Sequence, residues 1–183
     1  MTVKDVIALA AEELGIGDVV KAYLGGDKSQ GEAETKALLR CFNLVENEVA
    51  LDYLPLFAED TVFTETGAVE YSALTKEAVR ILSVKDSSGN SVKYKIFPSY
   101  LSAQAGELVI RYTYTPTAKT LDDESDFLLL VSDRLLAYGM AAEYCFSCGL
   151  YDEGEAWNKK YKDALKAAYR AKPAKVMRSR RWE

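Results

Sequence analysis

The sequence predicts an α+β protein, a helical bundle carrying a small antiparallel β-sheet as an insertion. Apolar residues recur at helical spacing through residues 1–60 and again from Asp123 onward. Between Thr61 and Thr115 the apolar period falls to two. Helices and strands are segregated, with no βαβ alternation, which is the α+β pattern. The chain is accordingly assigned residues 1–60 as N-terminal helices, 61–116 as the β insertion, 117–171 as a C-terminal helical hairpin and 172–183 as a basic tail.

Thr2 can cap a first helix, with Asp5 as the reciprocal partner of a capping box. Val3, Val6, Ile7, Ala10 and Leu14 form its apolar stripe, and Gly15 and Gly17 end it. Asp18 restarts a short helix that Gly25 and Gly26 stop. Residues 25–34 are glycine-rich and charged without apolar period, and predict a mobile loop. A helix over 33–53 follows, with Leu38, Phe42, Val45 and Val49 on one stripe and Pro55 beyond its end. Residues 61–66 and 78–84 are strand-like in composition. Residues 85–91 form a turn-rich loop, after which Val92, Tyr94 and Ile96 alternate with Lys93 and Lys95 as a strand with one wet face. Residues 107–115 are the clearest strand, with Leu108, Ile110, Tyr112 and Tyr114 on one face and Pro116 at its end. The sheet should have three to five strands.

The C-terminal hairpin begins with Asp122, Asp123, Glu124 and Asp126, which suit the positive end of a helix dipole. Phe127, Val131, Leu135, Tyr138, Ala142 and Cys145 continue as one stripe, and Leu128, Leu129, Leu130, Leu136, Met140 and Tyr144 fill much of the remaining surface. A helix of about 25 residues, roughly 38 Å long, should therefore be buried on most sides and stop at Gly149. The last helix, near 153–171, puts Trp157, Tyr161, Leu165, Ala168 and Tyr169 on one face and lysines on the other.

At 183 residues, 49% hydrophobic and 28% charged, the chain belongs among folded proteins and is long enough to bury a core. A net charge of -5 excludes a generally basic nucleic-acid binder. The charge is uneven, however. Five basic side chains and one carboxylate leave residues 172–183 at +4 and the preceding chain at -9. Three cysteines, an odd number, and no cationic apolar leader argue for a reducing compartment and against secretion. The uncharged apolar run from Leu135 to Ala142 is too short to span a bilayer, so no membrane partner is expected.

The chain has no histidine, which removes Ser-His and Cys-His nucleophilic sites. Cys145 and Cys148 form a C-x-x-C, but at the C-terminal end of a helix, where the dipole opposes a thiolate; two small core residues explain them. The acidic group 122–126 could hold a hard divalent cation, and helix capping explains it without one. Gly15-Ile16-Gly17-Asp18 lacks the third glycine of a dinucleotide fingerprint and follows a helix. Gly139, inside a long helix, costs about 1 kcal/mol relative to alanine and points to another backbone crossing closely there. No catalytic residue, metal site, cofactor or small-molecule substrate is assigned, and the chain is expected not to be an enzyme.

The functional candidate is the tail. Lys172, Lys175, Arg178, Arg180, Arg181 and Trp182 form a basic segment with one aromatic, which reads either as a docking element for an acidic surface or nucleic acid, or as a frayed end.

Several stretches together resemble the head-to-tail connector proteins (neck adaptor, or tail tubular A-like) of tailed bacteriophages and prophages. They are Val79-Arg80-Ile81-Leu82-Ser83-Val84-Lys85-Asp86, Val109-Ile110-Arg111-Tyr112-Thr113-Tyr114-Thr115-Pro116 and Asp122-Asp123-Glu124-Ser125-Asp126-Phe127. Further on come Leu136-Ala137-Tyr138-Gly139-Met140-Ala141-Ala142-Glu143-Tyr144 and Gly149-Leu150-Tyr151-Asp152-Glu153, leading into Lys160-Tyr161-Lys162-Asp163-Ala164-Leu165. The resemblance spans about residues 2–170. It implies a structural virion protein forming a homo-oligomeric ring between portal and tail or stopper proteins, with DNA passing through. It also implies a location in the virion, and in the bacterial cytoplasm during assembly. Such a ring closes by head-to-tail contacts between unlike surfaces. The competing class is a bacterial small-molecule or peptide-binding module without catalytic activity, in which residues 108–114 line a groove.

Overall fold

Residues 2–127 and 131–170 are described by the structure, a computed structural model. The fold is α+β, and the chain divides into two compact units. Unit 1 takes the residues up to Val45 and those from Lys119 onward; unit 2 takes Glu46 to Ala118.

Unit 1 is helical. Helix α1 (Val3–Glu13) is capped by Thr2, whose hydroxyl accepts from the Asp5 amide and donates to the Asp5 carboxylate. Val3, Val6, Ile7 and Ala10 are buried, as their spacing requires. Helix α2 (Gly17–Leu24) follows, and α3 (Glu32–Glu48) starts early enough to shorten the expected loop. Gly31 precedes α3 because no other residue fits: a Cβ there would lie 2.3 Å from the Val19 carbonyl oxygen. Helix α4 (Asp133–Ser147) packs on α1 and on α5 (Tyr151–Arg170). Gly149, at φ 76°, ends α4 in a Schellman motif: its amide donates to Phe146 O at 3.1 Å and that of Leu150 to Cys145 O at 2.9 Å.

The expected start of the long helix at the acidic cluster is wrong. Helix α4 begins ten residues later, at Asp133, where the Ser132 hydroxyl accepts from the Leu135 amide at 3.2 Å. Three of the acidic side chains are committed elsewhere, and each commitment competes with helix formation. Asp122 pairs with Lys4, and Asp123 accepts from the Thr120 amide at 2.6 Å and hydroxyl at 2.8 Å. Asp126 takes the Lys119 ammonium at 2.7 Å. The cluster still serves a helix N-terminus, but that of α1, whose Val3 amide donates to Asp123 O at 3.0 Å. Leu128, Leu129 and Leu130 lie outside the described residues.

Nor does a backbone cross at Gly139. A Cβ there would meet two side chains, Val45 Cγ1 at 2.7 Å and the Tyr161 ring at 3.0 Å. The missing methyl is thus space for the contacts of α4 with α3 and α5. Tyr169, expected on the apolar face of α5, is 60% exposed.

Unit 2 holds two three-stranded antiparallel sheets where one compact sheet was expected. After α3 a π-turn over Val49–Tyr53 ends the helical run predicted to reach residue 53. The first sheet is ordered β1 (Leu56–Thr64), β6 (Gly106–Tyr114), β3 (Ala78–Asp86), with β6 in the centre. The second is ordered β2 (Ala68–Glu70), β5 (Tyr100–Ser102), β4 (Lys95–Ile96). The alternation from Val92 thus yields only two strand residues. In place of strand pairing there, Ser91 bridges Lys85 and the Val92 amide donates to Val84 O at 2.9 Å. Leu108, Ile110 and Tyr112 of β6 lie in one apolar cluster with Val69, Leu74, Ile81, Val84 and Leu101.

Candidate interaction surface

The first sheet buries one face and leaves the other open. On β1, exposure alternates so that Phe57 and Phe63 are 54% and 69% exposed while their neighbours turn inward. On β3 the pairing with β6 slips twice, skipping Val79 and Leu82. Such bulges re-aim side chains, and here they bring Val79 (52% exposed) and Leu82 outward from an edge strand.

Phe57, Val79 and Leu82 belong to one apolar strip. A groove of about 250 Å³ is lined by Leu51, Pro55, Phe57, Val79, Leu82 and Thr113, with Arg80 at its border. A second hollow of about 310 Å³ shares Val79 and Arg80 and extends to Ile96, Phe97 and Pro98. The Phe97 ring stacks on Tyr100 at 4.7 Å, and the Tyr71 hydroxyl donates to Phe97 O at 2.9 Å, which holds this end of the strip in shape. Arg111, opposite Glu59 on the open face, stands 5.4 Å over the Phe57 ring.

A half-buried latch sets the start of β3. Asp60 accepts from the Tyr112 hydroxyl at 2.6 Å, from the Thr75 amide at 2.7 Å and from the Thr75 hydroxyl at 2.9 Å. Tyr112 in turn accepts from the Lys76 amide at 3.2 Å. Burial works to raise the Asp60 carboxyl, but the hydrogen bonds from Tyr112 and Thr75 together outweigh it and hold the group below the usual carboxylate value. A depressed carboxyl stabilises the fold above its unfolded value, near pH 4, and that contribution is lost as pH falls through the folded value. Asp60→Asn is therefore expected to cost about 2 kcal/mol at neutral pH, with the gap to native closing as the solution is taken below about pH 4. Urea titrations across pH measure this, and parallel profiles for the two proteins would count against the latch.

The tail residues Lys172, Lys175, Arg178, Arg180, Arg181 and Trp182 lie outside the described residues. Cys145 is buried at the end of α4 and Cys148 is exposed. Burial, followed by Glu153 and Cys148, pushes the Cys145 thiol up. Cys41 is pushed up to about 11 by burial and then Glu143. These environments oppose thiolate formation. Among the described residues no group of three or more cysteine or acidic side chains is placed to hold a metal ion. No described helix is long and apolar enough to cross a membrane. Leu108, Ile110 and Tyr112 fill the core, whereas Thr113 and Tyr114 border the first groove.

Sequence reasoning missed the open strip. Its only signal was an excess of apolar residues over strict alternation in residues 79–84, where Val79, Ile81, Leu82 and Val84 cannot all face one side of a regular strand. No model of a known protein family matches the sequence, and no curated protein does so either.

Proposed function

We propose that the chain is a structural virion protein, a head-to-tail connector subunit that assembles into a ring between portal and tail or stopper proteins and lets DNA pass. In this reading it has no catalytic activity, and it resides in the virion after assembly in the bacterial cytoplasm. The observation that carries the reading is the apolar strip from Phe57 through Val79 and Leu82 to Phe97, open to solvent in the single chain. Apolar surface of this extent is characteristic of a protein that is covered on assembly, and the resemblance of residues 2–170 to connectors supplies the assembly.

Mixing the purified chain with purified portal tests the proposal: negative-stain images should show rings. A saturable rise in melting temperature with a small ligand, without rings, would instead favour the binding-module reading. The tail enters as the electrostatic element. Deleting residues 172–183 should leave circular dichroism and melting temperature unchanged while weakening portal binding, because a +4 segment is removed from each subunit. Equal portal affinity of the truncated and full chains would remove the tail from the proposal.

A further inference from the structure

We propose that the groove between Phe57 and Leu82 on one copy receives the Leu150–Glu155 segment of a second copy. This rests on the ring reading, and it supplies the two unlike surfaces that head-to-tail closure needs.

The two surfaces are complementary in shape and charge. The groove is apolar at Leu51, Pro55, Phe57, Val79 and Leu82, and Arg80 borders both it and the neighbouring hollow. Among the described residues Arg80 forms no ion pair. The other surface leads with two projecting apolar side chains, Leu150 at 46% and Tyr151 at 68% exposure, followed by the exposed carboxylates of Asp152, Glu153 and Glu155. Presentation is also rigid: the Leu150 amide is tied to Cys145 O by the Schellman motif, and Tyr151 opens α5. An aromatic anchor displayed without loop entropy is what a groove contact requires.

Ring assembly of the full chain on purified portal, scored by negative stain and sedimentation, tests the contact. Arg80→Glu and Tyr151→Ser, both at exposed positions, should each raise the concentration needed for assembly about tenfold or more, the first by setting like charges against Asp152 and Glu153 and the second by removing the aromatic anchor. Combining Arg80→Glu with Asp152→Arg and Glu153→Arg should restore assembly, because the charges are exchanged across the contact. With a mild two-electron thiol oxidant added, a Leu82→Cys chain should also form an intermolecular disulfide with the exposed native Cys148, lost on Cys148→Ser and absent from a Thr61→Cys control. Rings that form unchanged with Arg80→Glu and Tyr151→Ser would overturn this contact and leave the connector reading standing. A native chain that forms no rings would overturn both.

Discussion

Gly139→Val is expected to destabilise the protein by about 3 kcal/mol, the upper end for overpacking a tight core. The usual sign for filling a helix glycine is the reverse, since alanine gains about 1 kcal/mol of helix propensity. Here the first added carbon already meets Val45 Cγ1 at 2.7 Å and the Tyr161 ring at 3.0 Å, and both side chains are buried. A β-branched valine on α3 has one comfortable rotamer and cannot swing away. Gly139→Ala should therefore be destabilising too, by about 1 kcal/mol after its propensity gain is subtracted. Adding Val45→Ala to Gly139→Ala should recover most of that cost, giving a non-additive cycle in urea denaturation followed by helical circular dichroism. A Gly139→Ala protein more stable than native with Val45 in place would show the contact to be slack.

Lys119→Met should cost about 3 kcal/mol. Lys119 and Asp126 meet at 2.7 Å with side chains only 9% and 16% exposed, so removing the cation leaves a carboxylate with little water to answer it. The position is fixed from the backbone as well: the Lys119 amide donates to Asn43 Oδ1 at 2.6 Å, and the Asn43 amide group donates to Lys119 O and Leu39 O, each at 3.1 Å. The double change Lys119→Met with Asp126→Leu should regain much of the loss, because an apolar pair of similar size often matches a buried ion pair. Single and double variants of equal stability would mean that the pair is effectively solvated.

These sites mark where local sequence rules stop. Glycine stops, the Thr2 cap and the buried stripes of α1 and α3 are short-range features, and the spacing of Val3, Val6, Ile7 and Ala10 or of Leu38, Phe42 and Val45 shows them directly. The cluster 122–126 was legible as charge but not as position. Its partners Lys4 and Lys119 are chosen by tertiary approach, and a run of carboxylates looks the same beside its own helix or another. The Tyr112 hydroxyl bonds a carboxylate 52 positions away, a pairing no window of sequence contains. The tail, the one segment sequence analysis singled out for docking, lies outside the described residues, while the strip on β1 and β3 was hidden by the ordinary expectation that apolar means core. Two bulges invert that expectation at Val79 and Leu82, and bulge placement follows from strand pairing rather than from composition.

Unit 1 is built from two stretches of chain separated by the whole of unit 2. During synthesis α2 can pack on α1 at once, but the part of α1 that α4 covers must wait until the ribosome has made α4 more than a hundred residues later. Joining the two stretches across a floppy tether carries a loop-closure cost that grows with tether length. The interval before α4 emerges is accordingly when the nascent chain is most exposed to aggregation.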